Sequence, residues 1–245
     1  MRSLPVWLVG SFIVAVMTLA LGPTHHAFAQ DDDSQELPAA GGPLEPGRYR
    51  AAVVGPGLSF EVGDSWRLVA PLDGPIVVLE RVDIPGGVLT ITRFDGDTFA
   101  DSCDPTSLTW VEPSAERLID IIAGDPRLSA GEPAAIEVGG FPAISLEVLT
   151  PPLERCGVPY LLIWALPFQG GEFIQLPGQQ ARFIVLAVGP DVLVVAIETF
   201  IEEPFGFFAS AAMEIVASLR IDEAQASPPR VDATPGADGE RDADA

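Results

Sequence analysis

The chain of 245 residues contains no lysine: all 13 of its basic residues are arginine. Its two histidines, His25 and His26, lie in a leader that export would remove. Each absence excludes a chemistry. Without histidine there is no Ser-His-Asp or Cys-His activation of a nucleophile and no histidine-ligated zinc. Without lysine there is no Schiff base, no Ser-Lys dyad and no P-loop lysine. General acid–base catalysis near neutral pH would fall to carboxylates, tyrosines or cysteine. Cysteine is scarce too, with only Cys103 and Cys156. In an exported chain one disulfide between them is the expected state. A redox pair is the alternative, but there is no C-x-x-C spacing.

Positive charge is short overall. There are 35 acids against the 13 arginines, a net charge of −22. Such a surface repels nucleic acid and anionic membrane, so neither is expected as a partner. The functional reading of the charge is attraction to cations or basic partners. The plain reading is solubility outside the cell or adaptation to salt.

The N-terminus has the pattern of a secretory signal peptide over residues 1–29. Arg2 precedes an apolar run from Trp7 to Leu21, and Ala27-Phe28-Ala29 offers small residues where a signal peptidase reads. The run is shorter than the roughly 20 residues that a membrane span prefers. Retention as an uncleaved anchor through residues 7–21 is the alternative. No cysteine follows to carry a lipid, and "VVAIETF" is interrupted by Glu198, so no membrane span is expected after cleavage. About 215 residues would remain. Residues 30–46 and 222–245 are acidic, rich in Pro and Gly and poor in large apolar side chains, so both are expected to be disordered. Residues 47–221 fit one globular domain.

That region reads as many strands and two helices. Tyr49–Val54, Leu58–Val62, "SWRLVA", Ile76–Glu80 and Val88–Phe94 are strand patterns, with a hairpin signal at "DIPGG". "DGDTFADSCD" reads as a loop. Its aspartates, Asp95, Asp97 and Asp101 among them, raise a calcium reading, but they miss the EF-hand spacing and also serve as turn formers. Ser114 is a plausible N-cap for a helix to Ala123, with Gly124 as the stop and Leu118, Ile121 and Ile122 as its apolar face. Tyr160–Leu166, Phe173–Leu176, Arg182–Val188 and Val192–Phe200 are strands. The last two are apolar at nearly every position, which means burial on both faces. A final helix runs from Glu203-Pro204 to about Leu219, led by the aromatic cluster "PFGFF". The class is α+β, an antiparallel sheet covered by helices.

Three stretches in this order resemble the PsbP-like fold: "LSFEVGDSWRL" with Trp66, "IEVGGFPAISLEV", and "FFASAAMEIVASLRI" ending in Ser218-Leu219-Arg220. The group includes the oxygen-evolving-complex protein PsbP, a small Ran-binding import factor and many exported bacterial domains. The resemblance implies an α/β/α sandwich and a non-enzymatic binding role, and it names no ligand. The chain departs from PsbP in charge, in its cysteine pair and in lacking histidines for metal.

No residue pattern assigns a catalytic, cofactor-binding or metal-binding role. The leading expectation is an exported, non-catalytic module for an unknown extracytoplasmic protein or ligand. One alternative is a carboxylate-based hydrolase, which needs two carboxyls about 5 Å or about 6.5–9.5 Å apart across a cleft. Another is a structural protein tethered by an uncleaved anchor.

Gly139-Gly140 could suggest a phosphate cradle. No helix follows them and no lysine exists to reach a phosphate, so they read as a hairpin turn. Parity decides the expected loop. Only an odd loop places Ile136 and Val138 on one face with Ile144, Leu146 and Val148, which predicts a three-residue loop, Val138-Gly139-Gly140, with Gly140 left-handed.

Overall fold

The fold is that of a computed structural model, which describes residues 34–39, 41–55, 57–69, 74–153, 156–167, 171–200 and 205–222. The signal pattern over 1–29, most of the tail, and Glu203-Pro204 lie outside the described residues. Met1–Asp32 and Asp33–Ala245 are separate compact units, and the described residues all lie in the second.

Its chain opens with β1 (Gln35–Glu36), β2 (Gly42–Pro43), β3 (Gly47–Arg50) and β4 (Leu58–Val62). The segment 30–46, expected to be disordered, therefore contributes paired backbone. Gln35 and Glu36 run parallel to Tyr49 and Arg50, and Gly42 and Pro43 pair with Leu68 and Arg67. Its composition excludes a central strand, but two-residue pairing at a sheet edge tolerates Pro and Gly. Leu44 is buried and Leu37 packs on the core, which anchors the segment. The strand expected to reach Val54 stops at Arg50 and turns.

β5 (Trp66–Leu68), β6 (Ile76–Arg81) and β7 (Ile84–Arg93) follow. The β6–β7 turn is not at "PGG". Arg81 pairs with Ile84, and a register shift after Glu80 places Pro85, Gly86 and Gly87 in a bulge within β7. Next come β8 (Asp97–Phe99), β9 (Leu108–Trp110) and α1 (Ala115–Gly124). The Asp-rich stretch expected as a loop thus contains a strand, because Thr98 and Phe99 turn inward and are buried. The Ser114 hydroxyl caps α1 by accepting from the Arg117 N–H at 3.0 Å. The buried face of α1 is Ala115, Leu118, Ile119 and Ile122; Ile121 is half-buried. Ile119 and Ile121 stand about 200° apart around the helix, on opposite flanks of the Leu118–Ile122 stripe, and packing buries the Ile119 flank.

The rest is β10 (Ser129–Ala130), β11 (Ala134–Val138), β12 (Phe141–Leu149), β13 (Leu161–Ala165), β14 (Glu172–Gln175), β15 (Gln180–Val188), β16 (Asp191–Thr199), α2 (Phe205–Ser218) and β17 (Arg220–Ile221). A central antiparallel sheet has the order β10-β12-β15-β16-β7-β6-β5-β2, with β11 also paired to β12. Two smaller sheets, β1-β3-β4-β17 and β14-β13-β8-β9, flank it. The class is α+β, with several sheets and two helices among the described residues.

The expectation of two-sided burial for β15 and β16 holds. Leu193, Val195 and Ile197 face a core shared with α2 and the β3–β4 side; Val192, Val194 and Ala196 face a second core shared with α1, Trp164 and Phe173. This arrangement also corrects the expected hairpin loop. Val138 pairs with Phe141, so the turn is the two residues Gly139-Gly140, at φ +60° and +87°. Two left-handed residues are what a type I′ turn requires. Val138 and Ala143 lie in the α2-side core, while Leu146 and Val148 lie in the α1-side core. Parity misled because the hairpin buries opposite faces in its two halves: Ile136, Val138, Phe141 and Ala143 pack on the α2 side near the turn, and Ile144, Leu146 and Val148 on the α1 side beyond it.

Candidate functional site: the β8–β9 ribbon and its cleft

The α1-side flanking sheet ends in a short ribbon. Asp97 pairs with Trp110, Thr98 with Thr109 and Phe99 with Leu108. Inside the ribbon, the Thr98 hydroxyl donates to the Ile163 carbonyl at 3.1 Å, and Thr98 stands opposite Trp164 of β13 in the ladder. Below it, the indole of Trp164 stacks on Phe173 with centroids 4.0 Å apart.

Outside the ribbon the pattern inverts. All three residues of β9 are exposed, Trp110 at 62% and Leu108 at 54%. Trp110 is nevertheless held in place. Its Nε1–H donates to the Asp95 carbonyl at 3.3 Å, and Gly96 leaves the room it occupies. A Cβ at Gly96 would stand 2.7 Å from that Nε1 and 2.3 Å from the Val111 carbonyl. An exposed aromatic with a fixed ring loses little entropy when covered, which is the property of a contact anchor.

Between the ribbon and α1 lies a cleft of about 550 Å³. Thr109 and Trp110 line one wall, Arg117 and Ile121 the other, and Asp125 and Arg127 close one end. That end is internally satisfied. Arg127 pairs with Asp101 at 2.9 Å, reaches Asp125 at 3.8 Å and donates to the Ser102 hydroxyl at 3.2 Å. Arg117 has no ion pair among the described residues, although acids far outnumber arginines in the chain.

Cys103 and Cys156 stand at the base of the ribbon, joined sulfur to sulfur with Cα atoms 5.0 Å apart. The Leu162 N–H donates to the Ser102 carbonyl beside them at 2.8 Å, so the link ties the β8–β9 loop to the start of β13.

The aspartates considered for calcium are occupied locally. Asp101 Oδ1 accepts from the Cys103 N–H at 3.0 Å in addition to Arg127. Asp104 Oδ1 accepts both the N–H and the hydroxyl of Thr106, which holds its carboxyl below the usual range. Asp97 points outward beside Trp110, and no group of three acids or other metal ligands converges among the described residues.

One carboxyl is buried outside the cleft. Glu198 Oε1, on β16, accepts from Gln175 Nε2 at 2.5 Å and Gln179 Nε2 at 2.6 Å. Burial pushes its pKa up from 4.5 to about 8, against the pull of the two amides. At neutral pH it is a proton-bearing, uncharged member of a polar cluster that also holds Thr150.

The sequence pattern did not single out β9. Leu108-Thr109-Trp110 does alternate, but three residues between aspartate- and proline-rich turns are too short a signal. No helix among the described residues is long and apolar enough to cross a membrane.

No family model and no curated relative matches the chain. Several solved structures are similar to it. Cyanobacterial PsbP (CyanoP) from Synechocystis sp. PCC 6803 is 12% identical, with 76% of this chain and 95% of that chain covered, at a TM-score of 0.41. LpqN of Mycobacterium tuberculosis, involved in cell envelope biogenesis, is 14% identical, with 74% and 90% covered, at 0.35. A Bacteroides thetaiotaomicron protein is 10% identical at 0.40; 73% of this chain overlies it, and the chain spans about half its length, 49%. Overlaps this shallow assign neither a family nor an activity.

Proposed function

We propose that the protein is exported and acts as a non-catalytic binding module whose contact surface is the β8–β9 ribbon at the mouth of the α1 cleft. The observation that carries this reading is Trp110. A large aromatic is exposed at 62%, fixed by a hydrogen bond and seated beside exposed Leu108 on the same strand face. Large apolar side chains gathered and held at the surface mark contact sites. Export is supported by the signal pattern and by a cysteine pair at disulfide distance. The non-catalytic reading is supported by the missing histidine and lysine after residue 29. It is also supported by the cleft, where the lining acid is Asp125, already engaged by Arg127. The carboxyl pair of a hydrolase would have to face across that space.

The test is site-specific cross-linking in the producing cell. A photoreactive phenylalanine analogue at position 110 is expected to yield a discrete adduct, and the same analogue at exposed Leu149 is expected to yield none. Equal labelling at both positions, or none at 110, would overturn the assignment of the surface.

A further inference from the structure

β9 is the edge of the sheet β14-β13-β8-β9. The Ala100 N–H donates to the Ser107 carbonyl and the Val111 N–H to the Gly96 carbonyl. In an antiparallel ladder such pairs recur every second residue, so Ser107, Thr109 and Val111 turn their backbone groups toward β8. Leu108 and Trp110 therefore turn their N–H and C=O groups away from the ribbon. An open edge of this kind is a template for another strand, and natural edges are usually blunted by charge, proline or cover. On β9 none of these is present: its residues are Leu, Thr and Trp, all exposed.

The charges carried by the ribbon and its immediate flanks are acidic, and Arg117 lies across the cleft from Trp110. Asp97 is directly opposite Trp110 in the ladder, so the two side chains share a face, with Cβ atoms about 4.5–5.5 Å apart. Asp97 is exposed and has no ion pair among the described residues. Asp95 and Glu112, also exposed, flank the two ribbon strands. The chain as a whole carries −22. An indole face beside an unpaired carboxylate is a site for a cationic side chain, which gains ring and charge attraction together within about 6 Å of the ring centroid.

We infer that β9 receives an extended, basic segment of a partner protein, which adds as a further strand by bonding the backbone of Leu108 and Trp110 and lays a lysine or arginine over Trp110 beside Asp97. This rests on the reading of the ribbon as the binding surface and specifies its partner. Main-chain bonds hold the segment and the Trp110–Asp97 pair selects it, the division of labour seen when a peptide extends a sheet. The overall negative charge draws the partner in and makes association salt-dependent.

The test uses the exported protein and a random library of blocked heptapeptides. Enriched peptides are expected to carry Lys or Arg flanked by β-branched residues. They should slow hydrogen exchange at the Leu108 and Trp110 amides at least tenfold and leave the Thr109 amide, already bonded to β8, unchanged. Trp110→Ala is expected to weaken binding at least tenfold and Asp97→Asn about fivefold, the latter with the melting temperature unchanged because that side chain is exposed and unpaired. Enrichment of peptides without basic residues, no enrichment, or protection away from β9 would overturn the inference. So would concentration-dependent protection of Leu108 and Trp110 without peptide, which would assign the edge to a second copy of the chain. Cross-linking at position 110 combined with non-basic peptides would leave the surface standing and remove the basic strand. Failure of both would remove the surface as well.

Discussion

The carbonyl oxygen of Leu219 lies 3.0 Å from where a Cβ on Gly139 would stand. The end of α2 thus presses on the β11–β12 turn, and the turn needs glycine for two reasons. Both of its residues have left-handed φ, which costs a side chain about 1–2 kcal/mol. Gly139 adds a steric limit, whereas Gly140 has nothing within 4 Å of its Cβ direction. Denaturant titration is expected to show Gly139→Ala more destabilising than Gly140→Ala. A larger loss at Gly140 would mean that the Leu219 contact is absent. The three-residue loop read from parity placed the stricter requirement at Gly140.

Gly87 meets the other end of the same helix. A Cβ there would come within 2.3 Å of Phe208 Cδ2, and Phe208 is fully buried. Gly87→Ala should therefore cost about 1–3 kcal/mol, the usual penalty of overpacking a core. Gly206 provides the control. It lies in α2 with nothing within 4 Å, so Gly206→Ala should stabilise by about 0.5–1 kcal/mol through helix propensity. Thermal melts of the two variants should move in opposite directions.

Glu198 makes stability depend on pH. Its folded pKa, about 8, lies above the 4.5 of the free side chain. Between these values the unfolded chain has released a proton that the folded chain retains. Stability therefore falls as pH rises through this window, by at most about 1.4 kcal/mol per unit, and levels off above it. Glu198→Gln keeps an oxygen to accept from Gln175 and Gln179 and cannot ionise. It should flatten the profile between pH 5 and 8 and leave the variant the more stable of the two at pH 8. Parallel profiles for the two proteins would show that Glu198 ionises freely in the fold.

The Cys103–Cys156 link closes a loop of 53 residues in sequence separation. Chain-entropy reasoning gives it about 4 kcal/mol. The double Cys103→Ser, Cys156→Ser variant should lose stability on that scale, and exchange should quicken first in β8 and β9, whose base the link fixes. Thiol titration of the unreduced protein in denaturant is expected to find none free. Two free thiols would count against the link.

The sequence by itself determined several features because each follows from local chemistry. Ser114 caps α1 since its hydroxyl needs only the Arg117 N–H three residues on. β15 and β16 declare a central position because alternation disappears when both faces are covered. The absence of lysine, and of histidine after residue 26, narrows the chemistry without any structure. The tertiary structure decided what depends on neighbours distant in sequence. At Val138 and Phe141 the register signal misled because the hairpin buries one face against the α2-side core near its turn and the other against the α1-side core further along. Ile119 rather than Ile121 is buried because of where α1 lies on the sheet. Glu198 breaks an apolar run in the sequence, and only its packing with Gln175 and Gln179 makes it an uncharged core residue. Trp110 looks like a core residue by type. Its place on an open edge, with Gly96 beneath and Asp97 beside it, is a property of the assembled sheet, because edges exist only once strands have paired.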